Sequence, residues 1–219
     1  YSECHAKLIV DDLNSNFDSL ECRRLQFYLN SFATVFDLAY YDVSDFHSSL
    51  ESLKNSNYNQ KDYLNLFLLF SQTSNSIAGT TYLRQNLEDG ASVVLSTDNH
   101  RNSQVHVHET AHVMGVEHLA GSWPPEKRTY EGCGKKIIYE TFHYPSCDYN
   151  HLGAWYGEFC PESPKLSLKT HTHGRALQEI INCWADEQDE IRNLQFVGLR
   201  RKKKIRKVVS FLSRQKQLL

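Results

Sequence analysis

The chain has 219 residues, 40% of them hydrophobic and 23% charged, enough for the core of one domain or of one domain with an appendage. No apolar run approaches the ~20 residues of a membrane-spanning helix, so no such helix is expected. The formal net charge of −2 conceals a division: residues 1–161 are acidic, while residues 162–219 are basic and contain Arg200–Lys207, a nearly continuous run of Lys and Arg. This asymmetry predicts a boundary near residue 161 and a C-terminal extension with a partner of its own.

In chain order, Ala6–Asp11 is a short apolar run and predicts a first strand, followed by a turn over 12–16. From Phe17 to about Tyr40 apolar residues recur at helical spacing (Leu20, Leu25, Phe27, Tyr28, Phe32, Val35, Phe36, Leu38) and predict a long amphipathic helix. Residues 41–46 suggest a weak strand and 48–55 a helical turn. Leu64–Phe70 predicts a buried strand. Ile77–Leu83 and Ala91–Ser96 predict two more strands, separated by a turn over Asn86–Gly90. A helix is expected over about 102–114. After His118 the Gly- and Pro-rich chain reads as loop, with Lys136–Tyr139 a short apolar interruption. A short helix is expected between Cys147 and Cys160, and another from His173 to about Leu194. The order implies an α/β (α+β) domain with a mixed sheet over 1–161 and a basic, largely helical extension over 162–219.

Six cysteines, Cys4, Cys22, Cys133, Cys147, Cys160 and Cys183, form an even set with no C-x-x-C pair. They predict disulfides and an extracellular compartment, with the pairing open. Cys4 and Cys22 are close enough in sequence for a local bridge. The chain starts at Tyr1 without an initiator Met, which suggests a processed or trimmed N-terminus.

The chemistry concentrates in His108-Glu109-Thr110-Ala111-His112-Val113-Met114-Gly115-Val116-Glu117-His118. On a helix His108 and His112 share one face and can grip one metal ion. Glu109 lies about 100° away around the helix. It is badly placed as a ligand and well placed to take a proton from a water at the metal. Gly115 can adopt the left-handed conformation that ends a helix. His118 can then return as a third nitrogen ligand, leaving one tetrahedral position open, as in a catalytic zinc site. With 10 Gly and 11 His in 219 residues, adding Gly115 and His118 makes a chance match several hundredfold rarer. His106 is read as a surface or supporting residue, and His171 and His173 as surface.

The elongated motif resembles that of the metzincin zinc endopeptidases, in their adamalysin/reprolysin branch of venom and tick or scorpion proteases. Leu8–Asp11 is similar to that family's first strand. Gly79–Leu83 resembles its edge strand, and Cys147–Cys160 its closing helix. The resemblance covers roughly residues 4–161 and is strongest over 77–118. It implies a metzincin-like twisted mixed sheet, a long zinc-binding helix and a small C-terminal subdomain. It implies Zn2+ held by His108, His112 and His118, with Glu109 as general base. It also implies a protein or peptide substrate paired to Gly79, Thr80 and Thr81. The family places a methionine turn beneath the zinc. Here Ile138 stands where that methionine is expected, and Leu119 replaces an aspartate. The expected function is a secreted zinc endopeptidase, as in a venom or salivary toxin. A catalytically weak, metalloprotease-like binding protein is the alternative. Arg200–Lys207 is expected to meet an anionic glycan or membrane surface, with no nucleic acid as partner.

Overall fold

A computed structural model describes residues 2–18, 25–35, 37, 40, 45–69, 79–96, 105–117, 127–140, 176 and 178–191. Its elements are α1 (Glu3–Asp18), α2 (Phe46–Lys54), β1 (Leu64–Leu69), β2 (Gly79–Thr81), β3 (Ala91–Ser96), α3 (Val105–Val113), β4 (Lys127–Gly132) and β5 (Lys135–Glu140). A further helix, α4, covers the described residues of 176–191. The class is mixed α/β, as the element order implies. Two compact units are present, Tyr1–Ala185 and Asp186–Leu219. The expected boundary after residue 161 falls outside the described residues.

The main sheet has the order β1-β3-β2. β1 runs parallel to β3, from Leu64 opposite Ala91 to Leu69 opposite Ser96. β2 runs antiparallel to β3, with Gly79 opposite Leu95 and Thr81 opposite Val93. β3 is buried along its whole length, as a central strand covered on both faces must be. Strand alternation divides its side chains between two apolar clusters. Ala91, Val93 and Leu95 join α1, α3 and α4 residues in one. Val94 joins Phe46, Leu50 and Leu53 of α2 in the other. Asp45 caps α2, accepting from the His47 backbone N–H at 2.9 Å. α2 therefore covers one face of the sheet and the α3 layer the other.

Three sequence expectations are overturned. Ala6–Asp11 is helical, and so is the expected turn at 12–16, because Ile9, Leu13 and Phe17 form an i, i+4, i+8 stripe. Leu13 and Phe17 are fully buried by it while Leu8, off the stripe, is exposed. The similarity of Leu8–Asp11 to a first strand is thereby lost. The long helix expected over 17–40 does not form: α1 stops at Asp18, and residues 25–35 are neither helix nor strand. The Asn14 amide holds Phe27 instead, donating to its carbonyl at 3.0 Å and accepting from its N–H at 2.7 Å. That side chain satisfies both backbone polar groups of one residue, as a neighbouring strand would. Third, the region after His118 contains a hairpin where loop was expected. β4 pairs antiparallel with β5 from Lys127–Glu140 to Gly132–Lys135. Its two turn residues, Cys133 and Gly134, have φ of 50° and 65°, the left-handed pair a tight hairpin needs.

A disulfide joins Cys133 in that turn to Cys183 in α4, with Cα atoms 5.7 Å apart. Cys4 is an exposed free thiol, so the local bridge to Cys22 is absent. Cys22, Cys147 and Cys160, with the expected 147–160 helix, lie outside the described residues. No helix among the described residues is long and apolar enough to cross a membrane.

The Cys133–Cys183 bond closes a loop with a sequence separation of 50 residues. Closing a loop of that length restricts the unfolded chain by about 4 kcal/mol. Replacing both cysteines with alanine is therefore expected to lower unfolding free energy by about that amount in urea titration. An unchanged midpoint would contradict the bond.

Candidate metal centre

α3 has no amphipathic stripe because it is enclosed almost all round. Val105, His106, Val107, Glu109, Thr110, Ala111 and Val113 are all buried. Only His108 and His112 remain half-exposed, so the one open face of the helix is the i, i+4 histidine pair. Their ring centroids are 4.8 Å apart at 84°, edge against face.

The end of α3 fixes the second ring. The Gly115 N–H donates to the His112 carbonyl at 2.9 Å and the Val116 N–H to the Ala111 carbonyl at 3.1 Å. Together these bonds form a Schellman turn, with Gly115 left-handed at φ +93°. A Cβ at Gly115 would also stand 2.9 Å from Tyr130 Cε2. The turn brings the Val116 carbonyl within 2.8 Å of His112 Nδ1. A carbonyl only accepts, so Nδ1 carries the proton and Nε2 keeps its lone pair. This is the tautomer and outer hydrogen bond typical of a metal-ligating histidine. His108 and His112 thus fit two nitrogen ligands of a zinc ion. His118, the expected third, lies outside the described residues.

Glu109 is buried between the helix and β2. A Cβ added to Gly79 would lie 3.0 Å from Glu109 Cγ, Leu95 Cδ2 and Val105 Cγ1, so the edge strand passes close to the carboxylate arm and a larger residue would need those side chains to give way. Burial pushes the Glu109 carboxyl up to about 8. A divalent cation at the adjacent histidines would oppose that shift and favour the carboxylate. Among the described residues Gly79, Thr80 and Thr81 form an outer strand of the main sheet. Thr81 Oγ1 is turned inward, donating to the Ser92 carbonyl at 2.6 Å.

Two placements differ from expectation. Ile138 is 61% exposed on β5, whereas its neighbour Ile137 is buried. Strand alternation turns Ile138 outward, away from the core that Ile137 joins. The single methionine, Met114, is instead fully buried at the end of α3. His106 is not at the surface: it is 3% exposed, with Nε2 3.7 Å from Asp12 Oδ2 of α1. Burial pushes its pKa down to about 4, so it faces α1 uncharged at neutral pH. Sequence reasoning missed Asp12, Gln85 and Tyr130 around this site. The stripe from Ile9 to Phe17, which places Asp12 on α1, was the one legible signal among them.

The two buried groups give opposite pH trends. Glu109 has its pKa raised from 4.5 to about 8, so its stabilisation is full below pH 4.5 and is lost as pH rises to 8. His106 has its pKa lowered from 6.5 to about 4, so its contribution is full above pH 6.5 and is lost as pH falls towards 4. Where the windows overlap, from pH 4.5 to 6.5, the trends oppose each other. Metal-free protein is expected to lose stability from about pH 6.5 to 8, and Glu109→Gln to remove that slope, both read by urea denaturation in chelator. An equal slope in the variant would show that Glu109 is not the group responsible.

No family model, curated protein or solved structure matches this chain.

Proposed function

We propose that the chain is a zinc-dependent endopeptidase of metzincin type, secreted and acting on extracellular proteins or peptides. The observation that carries this reading is the open face of α3: on a helix otherwise buried, only His108 and His112 remain accessible, with Glu109 buried beside them under the edge strand. His108, His112 and His118 would hold the ion. When bound, Zn2+ supplies Lewis-acid polarisation of the scissile carbonyl and acidifies water.

The chain's own residues do the rest. The outer edge of β2 offers backbone donors and acceptors to an extended substrate, which would add as an antiparallel strand. A cation at the adjacent histidines would hold Glu109 as the carboxylate, the form that can take a proton. Glu109 takes the proton of the attacking water and delivers it to the leaving amine nitrogen, so charge does not accumulate on either. The Cys133–Cys183 disulfide favours an oxidising, extracellular setting. Arg200–Lys207 would supply attraction to an anionic glycan or membrane surface.

A second reading, a metal-carrying binding protein that cleaves poorly, is favoured by the outward position of Ile138. The two separate on Glu109. Glu109→Gln is expected to abolish cleavage of a generic protein substrate, a loss of at least about a hundredfold, while zinc stays bound. Full activity in that variant would remove Glu109 from the mechanism. His118→Ala is expected to weaken zinc binding, and unchanged metal content by atomic absorption would show that His118 is not a ligand.

A further inference from the structure

Gln85 lies just beyond β2, after the chain has turned through left-handed Arg84 at φ 54°. It is 5% exposed, yet its amide is fully engaged. Oε1 accepts from the Ser92 N–H at 3.1 Å, and Nε2 donates to the Ser92 carbonyl at 3.0 Å. One side-chain amide thus takes the place of a peptide group and prolongs the ladder on β3 past the end of β2. Nε2 also reaches Thr81 Oγ1 at 2.7 Å, on the edge strand. The Gln85 backbone turns the other way. Its N–H donates to the Val113 carbonyl at 2.8 Å, and the preceding Arg84 N–H donates to the His112 carbonyl at 2.9 Å. Its carbonyl accepts from the buried Trp184 indole N–H at 2.8 Å.

We propose that Gln85 is a positioning residue for the metal centre, tying the edge strand and the end of the metal helix into one rigid unit backed by Trp184. The carbonyls it and Arg84 engage belong to the last turn of α3, where His112 sits and from which the chain turns back at Gly115. Orphan carbonyls at a helix end fray unless they are satisfied. Here the Val113 carbonyl is met by the Gln85 N–H, and the His112 carbonyl, which already accepts from Gly115, also accepts from Arg84, so residues that follow the edge strand help hold this helix end. Ligand geometry and edge-strand position are therefore set together. Support outside the ligands commonly controls metal affinity by about tenfold to a hundredfold.

This inference rests on the metal-site reading above, and its test separates the two. Gln85→Met keeps the length and removes every side-chain hydrogen bond. Trp184→Phe keeps an aromatic ring and removes the donor to the Gln85 carbonyl. Each full-length variant, checked for folding by circular dichroism, is titrated with zinc against a competing chelator and loaded with cobalt(II) for its visible spectrum. The expected result is a zinc dissociation constant raised about tenfold or more, with a changed cobalt band, because the ligand set is loosened. A purely structural role would lower the melting temperature and leave both readouts of the folded protein unchanged. That result overturns the proposal. If Gln85→Met does not fold, the Trp184→Phe readouts decide in the same way. Wild-type protein that binds no zinc would instead overturn the metal-site reading, and this inference with it.

Discussion

The left-handed turn at Gly115 is the constraint on which the site depends. It ends α3 one residue after His112, satisfies the His112 and Ala111 carbonyls through the Gly115 and Val116 N–H groups, and returns the Val116 carbonyl to His112 Nδ1. A side chain there would meet both the strain of φ +93° and the Tyr130 ring. One residue thus fixes where the helix stops, which tautomer the second histidine holds, and how closely the β4 strand packs. Arg84 adds to the same corner, lying over the Tyr130 ring at 4.9 Å and donating to the Glu131 carbonyl at 2.6 Å.

Local signals were legible in the sequence. β3 is Ala91–Ser96 as its β-branched run predicts, and β1, β2 and α3 fall inside their predicted spans. In each, the deciding information lies within the segment: apolar density, turn residues at its ends, or the motif itself. Long-range pairing was not legible. The alternation in β4 and β5 is diluted by Lys127, Arg128, Glu131, Lys135 and Lys136, so each strand reads as polar loop until its partner is known. Phe27 belongs to an apparent helical pattern, yet it is held by Asn14, thirteen positions earlier. Gln85 looks like an unremarkable polar residue, and only Ser92, Val113 and Trp184 together reveal what it does.

The site follows the same division. His108, Glu109 and His112 were readable because their geometry is that of one helix. The burial of Glu109 was not, since it comes from Gly79 on another element. Ile138 lies on the exposed face of β5, which its position in the sequence did not reveal. Met114 occupies the core at the helix end, so a polarizable sulfur does lie in this region, through a different part of the chain.

The account rests on a metal that performs hydrolysis. The most direct test measures zinc content and cleavage of an unstructured protein substrate on one preparation, before chelation, after it, and after zinc is returned. The account predicts stoichiometric zinc, cleavage lost on chelation and cleavage restored by zinc. Cleavage indifferent to the chelator, or a folded preparation that takes up no zinc, would contradict it.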